Sequence, residues 1–219
     1  MHLELMLTMK TFLRICLVLS LMAVGILGWM IYTYPFLAPW YRSSYSAADY
    51  AKIQLQLSTP ETPQEMLHAF DTLFPYWLGT KWDFNGTSQI PGEGAIACGY
   101  FVTTLIEDMH MPVDRIQMAQ CASEEMIKNQ VQETFITRYN AVEQDTMFSF
   151  IRHHGDRLYI IGLDNHTGFI RKQDDDIWFI HSSGKFPFRV IKEDAETCQT
   201  ILSSKYKVLG CLSDGAVYQ

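Results

Sequence analysis

The sequence predicts an α+β domain behind an N-terminal apolar segment. Apolar residues recur at helical spacing in the first part of the domain, for example in PQEMLHAFDTLFPYWLG, 63–79. After Gly155 the pattern changes to short β-branched and aromatic segments separated by polar turns, which is typical of an antiparallel meander. Helices followed by strands indicate the α+β class.

The N-terminal segment is the clearest compositional feature. Lys10 and Arg14 precede a run without charged residues that continues to Arg42, and this run exceeds the roughly 20 residues needed to cross a bilayer. Basic residues at its start place that end in the cytoplasm and the rest of the chain outside. We therefore predict that residues 1–41 are a membrane anchor. A cleaved signal peptide is the alternative, because small residues stand near a possible cut.

Composition limits the remaining possibilities. The chain has 219 residues with 48% hydrophobic content, enough for one domain with a substantial core. Its net charge of -7 argues against a nucleic-acid partner, for which a basic surface is expected. Residues 42–60 are polar and small, and they predict either a tether or a first helix. Residues 61–219 are predicted to form the domain.

The elements of this domain follow in order. Further helices are predicted from Cys98, from Ser123, and over AVEQDTMFSFIRHH, which ends at Gly155 as a C-cap. Strands are predicted over DRLYIIGL, HTGFIRK, DIWFIHSS and FPFRVIK, then a late helix over EDAETCQTILSSK and a closing strand over YKVLGCL.

A cysteine begins the helix that follows the Gly- and Pro-rich loop. Apolar residues at 98, 101, 102, 105, 106 and 109 form the core-facing stripe of this helix. At a helix N-terminus the free N–H groups and the macrodipole favour a thiolate and can receive an oxyanion. A lone cysteine of this kind usually packs in a core, so a catalytic role requires a base elsewhere in the chain.

Two histidines supply that base in the predicted meander. If RKQDDD forms a symmetric turn, residue 170 lies opposite 177 and His166 lies opposite His181, with Cβ atoms about 5 Å apart. One imidazole can then orient the other, as the third member of a nucleophilic triad does. Alternatives for this orienting role are Asp164, Asn165 and Ser182.

These residues resemble a known family. GTKWDFNGTSQIPGEGAIACGYFV resembles the GTPYxxGG…DCSGFV core of the NlpC-type cysteine peptidases, a papain-like superfamily of bacterial cell-wall hydrolases. GLDNHTGFI is similar to the family's HVGIY strand, and WFIHSS is similar to the strand after it. The resemblance covers approximately residues 75–185, and it implies a papain-like fold with Cys98 as nucleophile, His166 as base and His181 as orienting residue.

The same resemblance implies a function. Members attack an amide carbonyl, usually in a peptidoglycan stem peptide, and hydrolyse the resulting acyl-enzyme. We therefore expect a cysteine hydrolase of the bacterial cell envelope, anchored by its N-terminal helix, with its catalytic domain in the periplasm or outside the cell. No cofactor or metal is expected, since His153 and His154 lack any recognised ligand spacing.

Departures from the family pattern concern substrate recognition. Ala97 replaces the usual Asp before the cysteine, Gly99 replaces the Ser after it, and Trp82 replaces the Tyr of the GTPY segment. In related peptidases the Asp and Ser help to recognise the free amine of the stem peptide. We predict that Trp82, Gly99 and Asn165 contact substrate, with core packing as the alternative for Trp82.

Two alternatives to murein hydrolysis follow from these departures. The first is an amidase or acyltransferase acting on a non-murein substrate. The second is a non-catalytic envelope-binding domain of the same fold. In an oxidising compartment Cys198 and Cys211 are either a disulfide or two buried thiols, with Cys121 left over.

Overall fold

The computed structural model describes residues 2–33 and 46–217, and the chain divides into two compact units, Met1–Tyr41 and Arg42–Gln219. Helix α1 (His2–Thr33) is the described part of the first unit. Its stretch Lys10–Ile31 has a mean hydropathy of 2.1 and is long and apolar enough to cross a membrane. A signal sequence near the N-terminus can also be long and apolar enough to meet this criterion, so both predictions for residues 1–41 remain compatible with this helix. Residues 34–45, on both sides of the predicted boundary, lie outside the described part.

The segment predicted as a tether or a first helix contains helix α2 (Ala47–Gln56), which begins after a Ser46 cap. Tyr50 is buried, and its hydroxyl donates to the Asp108 carboxylate. The Trp77 indole N–H donates to the same hydroxyl at 2.8 Å, and Gln54 Nε2 donates to Asp108 Oδ1 at 2.7 Å. These contacts make α2 the first helix of the domain.

Four helices follow before the sheet. Helix α3 (Pro63–Trp77) begins with a capping box between Thr62 and Glu65 and buries one apolar face. The other three are α4 (Cys98–Asp108), α5 (Arg115–Gln120) and α6 (Ser123–Gln130). Together they bring most of their large apolar side chains into one core layer with Tyr50.

The sheet has six antiparallel strands in the described part of the chain, in the order β1-β6-β2-β3-β4-β5. The strands are β1 (Ile136–Asn140), β2 (Arg157–Leu163), β3 (Thr167–Gln173), β4 (Asp176–Ser182), β5 (Val190–Asp194) and β6 (Tyr206–Cys211). The predicted meander corresponds to β2–β5, and the predicted closing strand is β6. Strand β1 was not predicted, because ITRYN is short and largely polar and lies at the edge of the sheet.

In the described part of the domain three more α-helices follow: α7 (Gln144–His153), α8 (Gln199–Leu202) and α9 (Leu212–Gly215). The late helix predicted over EDAETCQTILSSK is only the four residues of α8. Its first half is a turn instead, because both the backbone N–H and the hydroxyl of Thr197 donate to Asp194, while the Ala195 N–H bonds Ile177 O.

The sheet separates two apolar layers. On β2, Leu158 and Ile160 belong to the layer of α2–α6, whereas Tyr159 and Ile161 belong to the layer of α7 and α8. This alternation confirms the α+β class with helices packed on an antiparallel sheet. Helix α4 lies on β3 and β4, with the Phe101 ring 6.1 Å from the ring of Phe169.

Candidate active site

A groove of about 850 Å³ lies at the N-terminus of α4, beside the turn that leads into β3. It brings together all six residues that the sequence predicted for the site. The six are Trp82, Cys98, Gly99, Asn165, His166 and His181. The groove is also lined by residues that sequence reasoning did not select, among them Tyr100, Ser183 and Lys185.

The backbone before α4 fixes the position of Cys98. The Ile96 N–H bonds Lys81 O at 2.9 Å and the Ala97 N–H bonds Gly86 O at 2.8 Å. From the sheet side, Ser182 Oγ donates to Ile96 O at 2.7 Å. The first helical bond of α4 runs from the Phe101 N–H to Ala97 O, so the earlier N–H groups have no partner within the helix. This turn therefore provides donors for an oxyanion next to the thiol.

Burial, more than the helix terminus, sets the pKa of the Cys98 thiol. Cys98 is half-buried, and burial raises its pKa, while hydrogen bonds from the backbone N–H groups of Thr167 and Gly99 act in the opposite direction. The net shift is upward, so the thiolate that the helix position predicted is not favoured in the free protein. The contact with Thr167 also joins Cys98 to the residue that follows His166.

A chain of hydrogen bonds leads away from the groove through two histidines to a carboxylate. His166 Nε2 lies 2.7 Å from His181 Nδ1, and His181 Nε2 lies 2.8 Å from Glu193 Oε1. Burial is the largest single effect on the pKa of Glu193 and would raise it, but the hydrogen bond and charge of His181, the hydrogen bond from Cys198 and the charge of Lys185 together lower it. Glu193 is therefore ionised near neutral pH and can only accept a hydrogen bond.

This carboxylate determines the proton positions along the chain. His181 must carry its proton on Nε2 to donate to Glu193, which leaves Nδ1 as an acceptor. His166 then donates from Nε2, and its Nδ1 keeps a free lone pair. We assign these positions from the hydrogen-bond partners. The result is a neutral His166 whose basic nitrogen is the one not bound to His181.

Both histidines are neutral bases for the same physical reason. Burial lowers the pKa of His166, and the nearby His181 and Lys185 lower it further. Burial also lowers the pKa of His181, although the hydrogen bond to Glu193 opposes the change. The free site thus holds a thiol and a neutral imidazole in the lining of the same groove.

The predicted register of the β3–β4 hairpin is wrong by two residues. Ile170 pairs with Phe179, not with residue 177, because the turn is only the two residues after Gln173, with Asp174 at φ 51. A two-residue shift keeps every side chain on its original face. His166 and His181 therefore still meet, but diagonally instead of directly opposite.

Gly168 makes this diagonal contact possible. A Cβ at position 168 would lie 2.7 Å from His181 Cβ and 2.7 Å from the Phe179 ring. Without a side chain there, the His181 ring stacks on Phe179 with centroids 3.9 Å apart, and its Nδ1 reaches His166. A glycine within a strand next to a candidate histidine is a sequence signal of such close approach.

The three predicted substrate-contact residues have distinct local environments. Trp82 is half-buried, and a Cβ on Gly184 would approach its ring to 2.9 Å. Gly99 packs against α5 so closely that a Cβ would lie 2.3 Å from Ala119 O. Asn165 is exposed in the three-residue connection between β2 and β3. Trp82 thus both packs and lines the groove, and Gly99 has a structural reason to be glycine.

Glu193 is the residue that sequence reasoning missed. It lies on β5, beyond a seven-residue connection from Ser183 to Arg189, and the length of that connection hides the pairing of β4 with β5. Cys198 Sγ donates to the same Glu193 Oε1 at 3.2 Å. Cys198 and Cys211 are both buried and free, so the structure has two buried thiols and not the disulfide.

Among the described residues, His181, Glu193 and Cys198 are also the group that could hold a metal ion, with one ligand atom from each lying within 4.8 Å of the others. His153 and His154, by contrast, direct Nδ1 at backbone carbonyls of their own helix.

Comparisons with protein-family models, with curated proteins and with solved structures find no match for this chain.

Proposed function

We propose that the protein is an exported cysteine hydrolase of the NlpC type, with a papain-like arrangement, that cleaves amide bonds in the cell envelope. One observation carries the proposal. Cys98 at a helix N-terminus shares a groove with His166, and His166 is backed by His181 and Glu193 at hydrogen-bond distance. A nucleophile, a base and an orienting group in this order define nucleophilic catalysis.

Acylation begins with proton transfer. His166 Nδ1 takes the thiol proton as Cys98 Sγ bonds to the substrate carbonyl carbon, and the C=O electron pair moves to oxygen. Backbone N–H groups at the start of α4 hydrogen-bond this oxyanion. His166 then gives its proton to the amide nitrogen, the C–N bond breaks, and an amine leaves behind a thioester on Cys98.

Deacylation repeats the same steps with water. His166 Nδ1 removes a proton from water as its oxygen attacks the thioester carbonyl, and the returned proton restores the thiol when the C–S bond breaks. In both half-reactions His166 is transiently an imidazolium. Its Nε2–H bond to His181, and through His181 to ionised Glu193, stabilises that charge.

Peptidoglycan stem peptides are the first substrate candidate, on the family resemblance. The groove favours a second candidate as well. Ala97 offers no carboxylate to a free amine, and the contact of Gly99 with Ala119 leaves no space for a serine side chain at that position. Among the described residues that line the groove, Lys185 is the cation, while the carboxylate of Asp164 accepts from the backbone N–H groups of Lys205 and Tyr206. A substrate that presents a carboxylate to Lys185 fits these charges, and a non-murein amide or acyl donor of that kind is the alternative.

Localisation follows from the N-terminal helix under the same proposal. Helix α1 would anchor the chain in the cytoplasmic membrane, with Lys10 and Arg14 on the cytoplasmic side and the hydrolase domain outside. Its membrane partner is then the lipid bilayer itself, and its substrate is an envelope amide.

The test uses the full chain purified in detergent. Labelling with iodoacetamide near neutral pH, followed by peptide mapping, should modify Cys98 faster in the wild type than in His166→Gln, because the base assists the thiol. Equal rates, or an unreactive Cys98, would reject the enzyme. Purified murein incubated with wild type should release new soluble muropeptides, whereas Cys98→Ala should not and the matched control Cys121→Ser should. If labelling depends on His166 but murein is unchanged, the non-murein alternative is favoured.

A further inference from the structure

Three potential metal ligands lie at the far end of the hydrogen-bond chain that begins at His166. His181 Nε2 and Cys198 Sγ both contact Glu193 Oε1, at 2.8 and 3.2 Å. His181 and Cys198 are 1% and 3% exposed. An imidazole nitrogen, a carboxylate oxygen and a thiolate sulfur are the donor types that Zn²⁺ binds in proteins.

The cluster needs a side-chain adjustment to hold an ion. Tetrahedral zinc with bonds of about 2.0–2.3 Å separates its ligand atoms by roughly 3.4 Å, so the two contacts to Glu193 must open by about 0.2–0.6 Å. His181 Nε2 and Cys198 Sγ lie within 4.8 Å of each other, and they must come to the same separation by side-chain rotation. Glu193 can open its two contacts, since its side chain is 37% exposed. The same exposure gives the ion a route from solvent and leaves space for a water as fourth ligand.

We propose that His181, Glu193 and Cys198 form a Zn²⁺ site whose occupation switches off the cysteine hydrolase. The inhibitory part rests on the proposed function, whereas the metal site itself does not. Glu193 and His181 then have two exclusive states. In one they orient His166 through hydrogen bonds, and in the other they bind the ion.

The switch operates through the proton positions of the two histidines. Zn²⁺ on His181 Nε2 displaces the proton from that nitrogen to solvent, and neutral His181 must then carry its proton on Nδ1. His166 passes its Nε2 proton to His181 Nδ1 and takes one from solvent on its own Nδ1. The histidine protons therefore balance, and the net release is the thiol proton of Cys198. His166 Nδ1, now protonated, cannot accept a proton from Cys98.

Metal binding is tested without any assay of activity. The full chain, purified in detergent and stripped with EDTA, is titrated with Co²⁺ as a spectroscopic substitute for Zn²⁺. We expect one Co²⁺ per chain with a thiolate-to-cobalt absorption band. Cys198→Ser should lose the band, while Cys211→Ser, the other buried thiol, and Cys98→Ala should keep it. Absence of the band, or its persistence in Cys198→Ser, would overturn the site.

The switch is tested by two further measurements. In nitrogen-15 NMR of the histidine rings, Zn²⁺ should move the His166 proton from Nε2 to Nδ1 in Cys98→Ala, where no catalysis occurs. An unchanged His166 tautomer with the site filled would refute the switch. In active protein, saturating Zn²⁺ should lower the rate about 100-fold or more, the contribution expected of a general base, and EDTA should restore it. Lack of activity in EDTA would count against the proposed function alone, because the cobalt absorption band and the His166 tautomer are measured without any activity assay.

Discussion

Replacing Glu193 by glutamine tests the hydrogen-bond chain at its far end, without touching the groove. The change keeps the shape of the side chain and removes its charge. Glu193 reaches the reacting atoms only through His181 and His166, over contacts of 2.8 and 2.7 Å. It is therefore a positioning residue, and its effect must appear where His166 becomes an imidazolium.

The size of the effect follows from the bond that is lost. A hydrogen bond to a charged group contributes about 1.5–3 kcal/mol, and each 1.36 kcal/mol in the barrier changes a rate tenfold. We therefore expect Glu193→Gln to lower the rate of Cys98 alkylation and the kcat for amide hydrolysis by about 10- to 150-fold, with little change in KM. The loss is larger if the Gln amide donates to His181 Nε2, because the histidine tautomers then invert.

A pH profile separates this role from a structural one. The negative charge of Glu193 favours protonated histidine, so its removal should move the acid limb of kcat/KM to lower pH. Glu196→Gln is the matched control, since Glu196 lies three residues away on the surface and pairs with Arg152. Urea unfolding should show that both variants are folded. A Glu193→Gln protein with the wild-type rate and an unchanged acid limb would refute a catalytic role for the hydrogen bonds that link His166, His181 and Glu193.

Three further predictions follow from the same structure. Because burial lowers the pKa of His166, the acid limb of wild-type kcat/KM should lie below pH 6.5, the ordinary value for histidine; a limb at or above that value contradicts a neutral resting base. Gly168→Ala should displace His181 and reduce the rate of Cys98 alkylation at least tenfold, as expected for a weakened general base. The control Gly155→Ala should not, because a Cβ there meets only the Arg157 side chain at 3.7 Å. Equal alkylation rates in the two variants would show that the contact between His166 and His181 does not require a glycine at position 168. Burial raises the pKa of Asp108 to about 6 from 3.8, so the folded protein gains about 3 kcal/mol in the free energy of unfolding below pH 4, and this gain is lost as the pH rises through 6. Urea titrations between pH 4 and 7 should show that the free energy of unfolding depends less on pH in Asp108→Asn than in the control Asp175→Asn. An equal pH dependence in the two variants would assign it to other groups.

The sequence predicted that Cys98, His166 and His181 lie at one place, and the three line one groove despite an error in register. Strand side chains alternate with period two, so an error of two residues moves a contact along the strand but leaves it on the same face. An error of one residue would have put the histidines on opposite faces. The start of the helix at Cys98 could also be predicted, because an apolar stripe at helical spacing begins directly after the Gly- and Pro-rich loop.

Glu193 could not be predicted in the same way. The register of β5 against β4 depends on the connection from residue 183 to 189, which is too long for a standard hairpin turn. Its path is fixed by tertiary contacts instead, such as the bond from the Trp82 N–H to Phe188 O at 2.8 Å. The protonation state of Cys98 was also beyond the sequence, because the helix terminus and burial oppose each other and only the folded structure shows which is larger.

The indirect position of the carboxylate allows the site to combine a stabilised His166 imidazolium with a lysine at the groove. A neutral His181 alone would orient His166 but add little stabilisation to its imidazolium, since an uncharged acceptor forms a weaker bond than an ionised one. Glu193 provides the missing charge from the far side of His181, whose side chain is 1% exposed. Lys185 lines the groove, and its charge also acts on Glu193, whose pKa it lowers. A carboxylate in direct contact with His166 would repel the acidic substrate that Lys185 would attract, so placing it one imidazole further away keeps both functions compatible.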